Sequence, residues 1–154
     1  MSVRYLDRIL EPASIAIVGA SSRVGSVGAT VWRNMRSSRF AGPLHAVNPK
    51  HATLDDEPCF AHPEDLPQAP DVAVICTPPA SVAGLIEAFG RLGTRAAIVM
   101  PAGLDAVQKR AVLDAARPCL LRVLGPNCVG VLTPRLGLNA SFAHTDALVG
   151  VLSQ

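Results

Sequence analysis

The chain has 154 residues and a net charge of +2, with 49% apolar and 17% charged residues. That length suffices for one domain with a full core, and so small and scattered a charge, without a basic run and with aromatics at only 4%, argues against a nucleic-acid or membrane-surface module. The apolar runs are of strand length and broken by Pro, Gly or charge, so neither a membrane span nor a secretory leader is expected and the location expected is cytoplasmic.

Apolar periodicity predicts strands and helices in alternation. A short amphipathic helix over Val3–Leu10 is ended by Pro12. A first strand, Ser14–Val18, runs into the turn GASSRVGSVG, Gly19 to Gly28. A helix from about Val24 to Ser37 follows, with Val24, Val27, Val31 and Met35 at helical spacing. The second strand is Leu44–Val47. A polar, Pro-rich stretch, Asn48 to Pro70, carries at most a short edge strand near Cys59 and Phe60. Asp71–Cys76 is the third strand, and the next helix starts at Pro79, a favoured first-turn residue, with its stripe at Val82, Leu85, Ile86 and Phe89 and its end at Gly93. Arg95–Met100 is the fourth strand. Asp105 caps another helix, with Gln108 as the capping-box partner. Leu120–Leu124 is the fifth strand, a loop with GPNC and GLNASF comes next, and Ala147–Leu152 reads as one more strand. Strands spaced by helices imply a mostly parallel α/β sheet of five or more strands with helices on both faces.

In such a sheet ligands bind at the carboxyl ends of the strands. The turn after the first strand is an anion cradle, since backbone N–H groups and the helix dipole point out of it. Its glycines, Gly19, Gly25 and Gly28, do not spell G-x-G-x-x-G, because Ala20-Ser21-Ser22 stands where the second glycine belongs, and no Gly-Lys-Ser/Thr follows. Arg23 and Val24 complete the turn. After the second strand come Asn48 and Lys50, where an NAD domain carries an acid for the ribose diol. A lysine there suits a phosphorylated ribose, as in NADP or the 3′-phospho-ADP of coenzyme A, and equally a solvated surface position. Thr77, Pro78 and Pro79 set a hydroxyl and a stiff turn at the end of the third strand, which serves a ligand or merely starts a helix. Asn127 and Cys128 follow the fifth strand, but no histidine is tied to Cys128, so binding suits it better than nucleophilic catalysis. Cys59, Cys76, Cys119 and Cys128 show no C-x-x-C spacing, and His45, His51, His62 and His144 are unclustered, so no metal site is expected. Cys76 and Cys119 lie in apolar runs and read as core residues.

Taken together, SIAIVGAS, VNPK, DLP-x-x-PDVAVICTPP, LGPNCVGV-x-TP and GLNASF resemble the CoA-binding domain of NDP-forming acyl-CoA synthetases, from about Leu10 to Gln154. That family includes the succinyl-CoA synthetase α-subunit, ADP-forming acetyl-CoA synthetases, and protein acetyltransferases that fuse a synthetase-like region to a GNAT-type domain. The resemblance implies a Rossmann-like, doubly wound fold and coenzyme A as cofactor. It implies that the turn from Gly19 through Ala20, Ser21, Ser22, Arg23, Val24 and Gly25 holds CoA phosphate. Lys50, or His51 in the alternative register, faces the 3′-phospho-ADP, with Asn48 beside it. Thr77, Pro78 and Pro79 lie beside adenine and ribose. Pro101, Ala102 and Gly103 run along the pantetheine, with Pro101 standing where the family more often has Ser, Thr or an acid. Asn127 and Cys128 lie near the thiol. The family passes a phosphoryl group through a histidine of a following domain, and no histidine here sits in a matching motif. The expectation is a single CoA- or acyl-CoA-binding domain, 1–154, that requires further domains or a partner subunit for synthesis. An acyl-CoA-sensing regulatory module of a GNAT-fused acetyltransferase is the alternative, and an NAD(P)-dependent oxidoreductase half a weaker one.

Overall fold

The computed structural model of the protein describes residues 5–143. Its strands are β1 Ile15–Val18, β2 Leu44–Val47, β3 Thr53–Leu54, β4 Glu57–Phe60, β5 Val72–Ile75, β6 Ala96–Val99, β7 Arg122–Leu124, β8 Gly130–Thr133 and β9 Leu138–Ser141. Its helices are α1 Leu6–Leu10, α2 Val27–Ser37, α3 Pro79–Leu92 and α4 Ala106–Ala116. Seven strands form one sheet in the order β3-β4-β2-β1-β5-β6-β7, and all its pairings are parallel except β3 with β4. The architecture is a Rossmann-like, doubly wound α/β sheet.

β1, β5 and β6 are buried at every position, which is why they read as unbroken apolar runs rather than alternating ones. Successive side chains still part to opposite faces. Ile15 and Ile17 pack with Val31, Trp32 and Met35 of α2 and with Leu138 and Ala140 of β9. Ala16 and Val18 join Val82, Ile86 and Phe89 of α3 and Val112 of α4. The helix ends follow local chemistry. Ser26 Oγ accepts the Ala29 N–H at 3.2 Å to open α2. Pro79 opens α3, and Gly93 at φ +97° closes it. Asp105 and Gln108 form the reciprocal capping box of α4.

Four sequence expectations need correction. Val24 is not part of the α2 stripe: it is 95% exposed, because Gly25 at φ +85° turns the chain before the helix starts. Cys59 and Phe60 belong to β4, an inner strand parallel to β2, and the edge position falls to β3. The stretch from GPNC to GLNASF is not loop alone: β8 and β9 pair as an antiparallel hairpin on the α2 face. Buried Asn34 fastens that hairpin by donating to the Ser141 and Ala143 carbonyls, each at 2.9 Å. Cys119 is half-buried against Gly90 rather than in the core. The start of the Val3–Leu10 helix, His144 and the Ala147–Leu152 strand lie outside the described residues.

Candidate functional site

Register brings the strand ends level. Val18 pairs with Val47 and Ile75, Val47 with Phe60, and Ile75 with Val99. The loops that begin at Gly19, Asn48, Ala61, Cys76 and Met100 therefore rise side by side from the carboxyl edge. From β1 the chain goes out to β2 on one side and later returns to β5 on the other, so the loops after β1 and β5 diverge and leave a crevice. A cleft of about 1050 Å³ opens there and spreads over the ends of β4, β2, β1 and β5, reaching β6 only at Pro101.

The inner wall is the turn after β1. Ser21 Oγ accepts the Arg23 N–H at 3.0 Å, and Ser26 Oγ donates to the Arg23 carbonyl at 2.9 Å, so both hydroxyls brace the turn. With the Ala29 donor taken by Ser26, the N–H groups of Val27 and Gly28 are the first-turn donors without an intrahelical acceptor, and both residues line the cleft. The approach of α2 is close: a Cβ on Gly28 would stand 1.9 Å from the Gly19 carbonyl oxygen. Gly19 itself, at φ +84°, sits against Thr77 Cγ2 and the Cys76 carbonyl. Here glycine is required for contact as much as for conformation.

Beyond this wall, Asn48 after β2 donates to the Ala20 carbonyl at 2.9 Å and accepts the Lys50 N–H at 3.0 Å. The amide thus ties the two loops and aims Lys50 in an Asx turn. His62 follows β4, its backbone N–H held by Asp65 Oδ2 at 2.9 Å. Arg23, Lys50, His51 and His62 all line the cleft, and among the described residues no Asp or Glu does. Neither Arg23 nor Lys50 is in an ion pair among the described residues. A concave surface with one sign of charge concentrates anions.

The opposite wall is Thr77, Pro78, Ser81 and Leu85. Ser81 Oγ lies 2.7 Å from Thr77 Oγ1 and 2.8 Å from the Pro78 carbonyl. Its single proton goes to the carbonyl when Thr77 donates to it. Cys76 forms the floor, 3.8 Å from Met100 Sδ, and burial pushes its thiol up to about 12, which keeps it protonated and inert at neutral pH.

The sequence-derived residues divide accordingly. Gly19, Ser21, Ser22, Arg23, Gly25, Asn48, Lys50, Thr77, Pro78 and Pro101 line one cleft. Ala20 is fully buried beneath it, and Val24 points away. Pro79, Ala102, Gly103, Asn127 and Cys128 lie outside its walls, although the Asn127 N–H donates to the Pro101 carbonyl at 3.0 Å and so continues the same sheet edge. Ser26, His62, Ser81 and Leu85 were missed. Ser26 had a signal, a capping residue directly before the apolar helix stripe. His62 had none until β4 was known to lie beside β2.

The chain matches the family described as CoA binding domain over residues 13–134. It is 31% identical over 145 residues to the ADP-forming acetate–CoA ligase I of Archaeoglobus fulgidus, covering 90% of this chain and 21% of that one. It is 32% identical over 153 residues to the ADP-forming 4-hydroxybutyrate–CoA ligase of Nitrosopumilus maritimus, covering 94% of this chain and 22% of that protein. Among solved structures it superposes with a TM-score of 0.86 and 34% identity on the dinucleotide-forming acetyl-coenzyme A synthetase 1 of Ca. Korarchaeum cryptofilum, solved with phosphate and ADP, over 90% of this chain and 31% of that one. The chain thus spans about a fifth of the length of these curated relatives.

Proposed function

From the premise that this chain belongs to the CoA-binding domain family, we propose that its cleft holds coenzyme A or an acyl-CoA on behalf of a larger acid–thiol ligase. The observation that carries this reading is the acid-free cleft with Arg23 and Lys50 at adjoining strand ends. The pyrophosphate lies on the turn from Gly19 to Gly28, where first-turn N–H groups and the helix dipole meet it. Lys50 faces the phosphorylated ribose. Thr77 and Pro78 flank adenine and ribose, with Pro79 starting the helix behind them. The pantetheine runs past Pro101, Ala102 and Gly103 towards Asn127 and Cys128, and the hydrogen bond from Asn127 to Pro101 supports one continuous track. Ala20 and Asn48 act through the backbone and loop positions they hold.

The chain binds and orients a thiol-bearing cofactor; forming the thioester requires groups from further domains or from a partner subunit. Cys76, held protonated on the cleft floor, is not suited to carry an acyl intermediate. A regulatory module that senses acyl-CoA for another domain is the second reading, and the same acid-free cleft favours it equally. Titration calorimetry with CoA, dephospho-CoA, NAD and NADP tests the binding. The expected order is CoA first, then dephospho-CoA, with NAD weakest. Tight NAD or NADP binding without CoA heat overturns the reading. Appreciable acyl-CoA synthesis by this chain alone would refute the division of labour.

A further inference from the structure

The basic side chains of the cleft occupy three strand ends, and strand order fixes their spacing. Arg23 belongs to the loop after β1, Lys50 and His51 to the loop after β2, and His62 to the loop after β4. β4 pairs in parallel with β2, with Phe60 level with Val47. Adjacent strands are about 4.8 Å apart, so the β4 loop stands one strand beyond Lys50 and roughly 10 Å from the turn after β1. The cleft therefore has two positively charged ends rather than one. The inner end carries Arg23 and the α2 N-terminus; the outer end carries Lys50, His51 and His62.

We infer that His62 is a second ligand of the ribose phosphate monoester, beside Lys50, and hence a specificity-determining residue of the cleft. This assignment rests on the CoA reading above. A phosphate monoester carries a charge of about −1.5 to −2 at neutral pH and offers three strong acceptor oxygens, more than one ammonium group satisfies. His62 is free to supply the next donor. Its backbone N–H donates to Asp65 Oδ2 and its carbonyl accepts the Asp65 N–H, and among the described residues no group accepts a hydrogen bond from its imidazole. An imidazole donates at least one N–H in either charge state, so the contact does not depend on its titration. Ala61, Pro63 and Leu85, which also line the cleft, offer no side-chain donor, and among the described residues no carboxylate lines it to compete with the phosphate for the imidazole. His62 is exposed, so replacing it disturbs no packing.

The test is calorimetric binding of CoA and dephospho-CoA to the intact chain and to His62→Ala and His62→Arg. The expected result is a loss of about tenfold in CoA affinity for His62→Ala, the low end of the range for one hydrogen bond to a charged group. Dephospho-CoA affinity stays within about twofold, and His62→Arg retains the preference for CoA. Equal losses for both ligands, or none for CoA, overturn the assignment while leaving the CoA reading standing. Failure of the unaltered chain to bind either ligand overturns the reading itself, and the assignment with it.

Discussion

Two groups of strand-end turns in this protein draw on the same residue types and differ in what they do. The turn from Gly19 to Gly28 and the turns Pro101–Gly103 and Gly125–Cys128 are all rich in Gly, Pro, Ser, Ala or Asn. The first is the wall of a cleft of about 1050 Å³; of the others only Pro101 touches it. Composition does not separate them. The difference lies in strand order, since only β1 has a neighbour on each side reached by opposite crossings, and only there do the loops part. The glycines differ in the same way. Gly28 is pressed against the Gly19 carbonyl, whereas Gly103 has open space where a Cβ would stand.

The sharpest way to break this contrast is to add that Cβ. Gly28→Ala should cost about 3 kcal/mol, because α2 must retreat from β1. Gly103→Ala should cost about 1 kcal/mol, the strain of its positive φ alone. Urea melts of the two variants measure the gap, and equal costs would mean that α2 is not seated by contact. The next effect is on binding. Lys50→Ala should lose about 1.5–3 kcal/mol of CoA affinity, roughly ten- to a hundredfold, with dephospho-CoA little affected. Asn127→Ala, at the proposed thiol end of the track, should cost no more than about 1 kcal/mol, because the contact proposed there is to a neutral group. If Asn127→Ala proves the larger, the phosphate end does not dominate.

The smallest effect separates cleft from core by pH. His45 on β2 packs edge-on against Phe60, at 5.8 Å between ring centroids, and its Nε2 is buried without a partner. Burial lowers its pKa below 6.5. The unfolded chain takes up this proton first, so the stability that neutral His45 contributes is whole above pH 6.5 and is lost as pH falls from there through the folded pKa. His45→Leu should flatten that fall by a fraction of a kcal/mol to about 1 kcal/mol in melts compared at pH 7.5 and 5.5. A slope unchanged by the substitution would put the pH dependence elsewhere.

Much of this was legible from residues alone. β1, β2, β5 and β6 are short apolar runs bounded by turn residues, and the Asp105–Gln108 box and Gly93 mark helix ends by local chemistry. What escaped depended on contacts distant in sequence. Nothing local marks β8 and β9, whose connection Pro134–Gly137 lacks the Asn-Gly or Asp-Gly signature of a tight hairpin. Val24 continued the helical period of Val27 and Val31, but the positive φ of Gly25 overrode the pattern. Arg23 and Lys50 could be picked from their positions after strands. His62 could not, since its place depends on a parallel pairing of β2 with a segment that the sequence marks at most as a short edge strand.

The Asn34 clasp on the hairpin bears on the order in which the molecule can assemble. Its donor and the Ser141 acceptor are 107 residues apart. The α2 side of the sheet cannot be covered until the hairpin has arrived, whereas the α3 and α4 side closes over shorter spans. Contacts of such long loop closure slow the search for the native state. During synthesis from the N-terminus, the Trp32 and Met35 flank of the sheet stays open to solvent, and to chaperones, until the hairpin from Gly130 to Ser141, near the end of the described residues, has emerged.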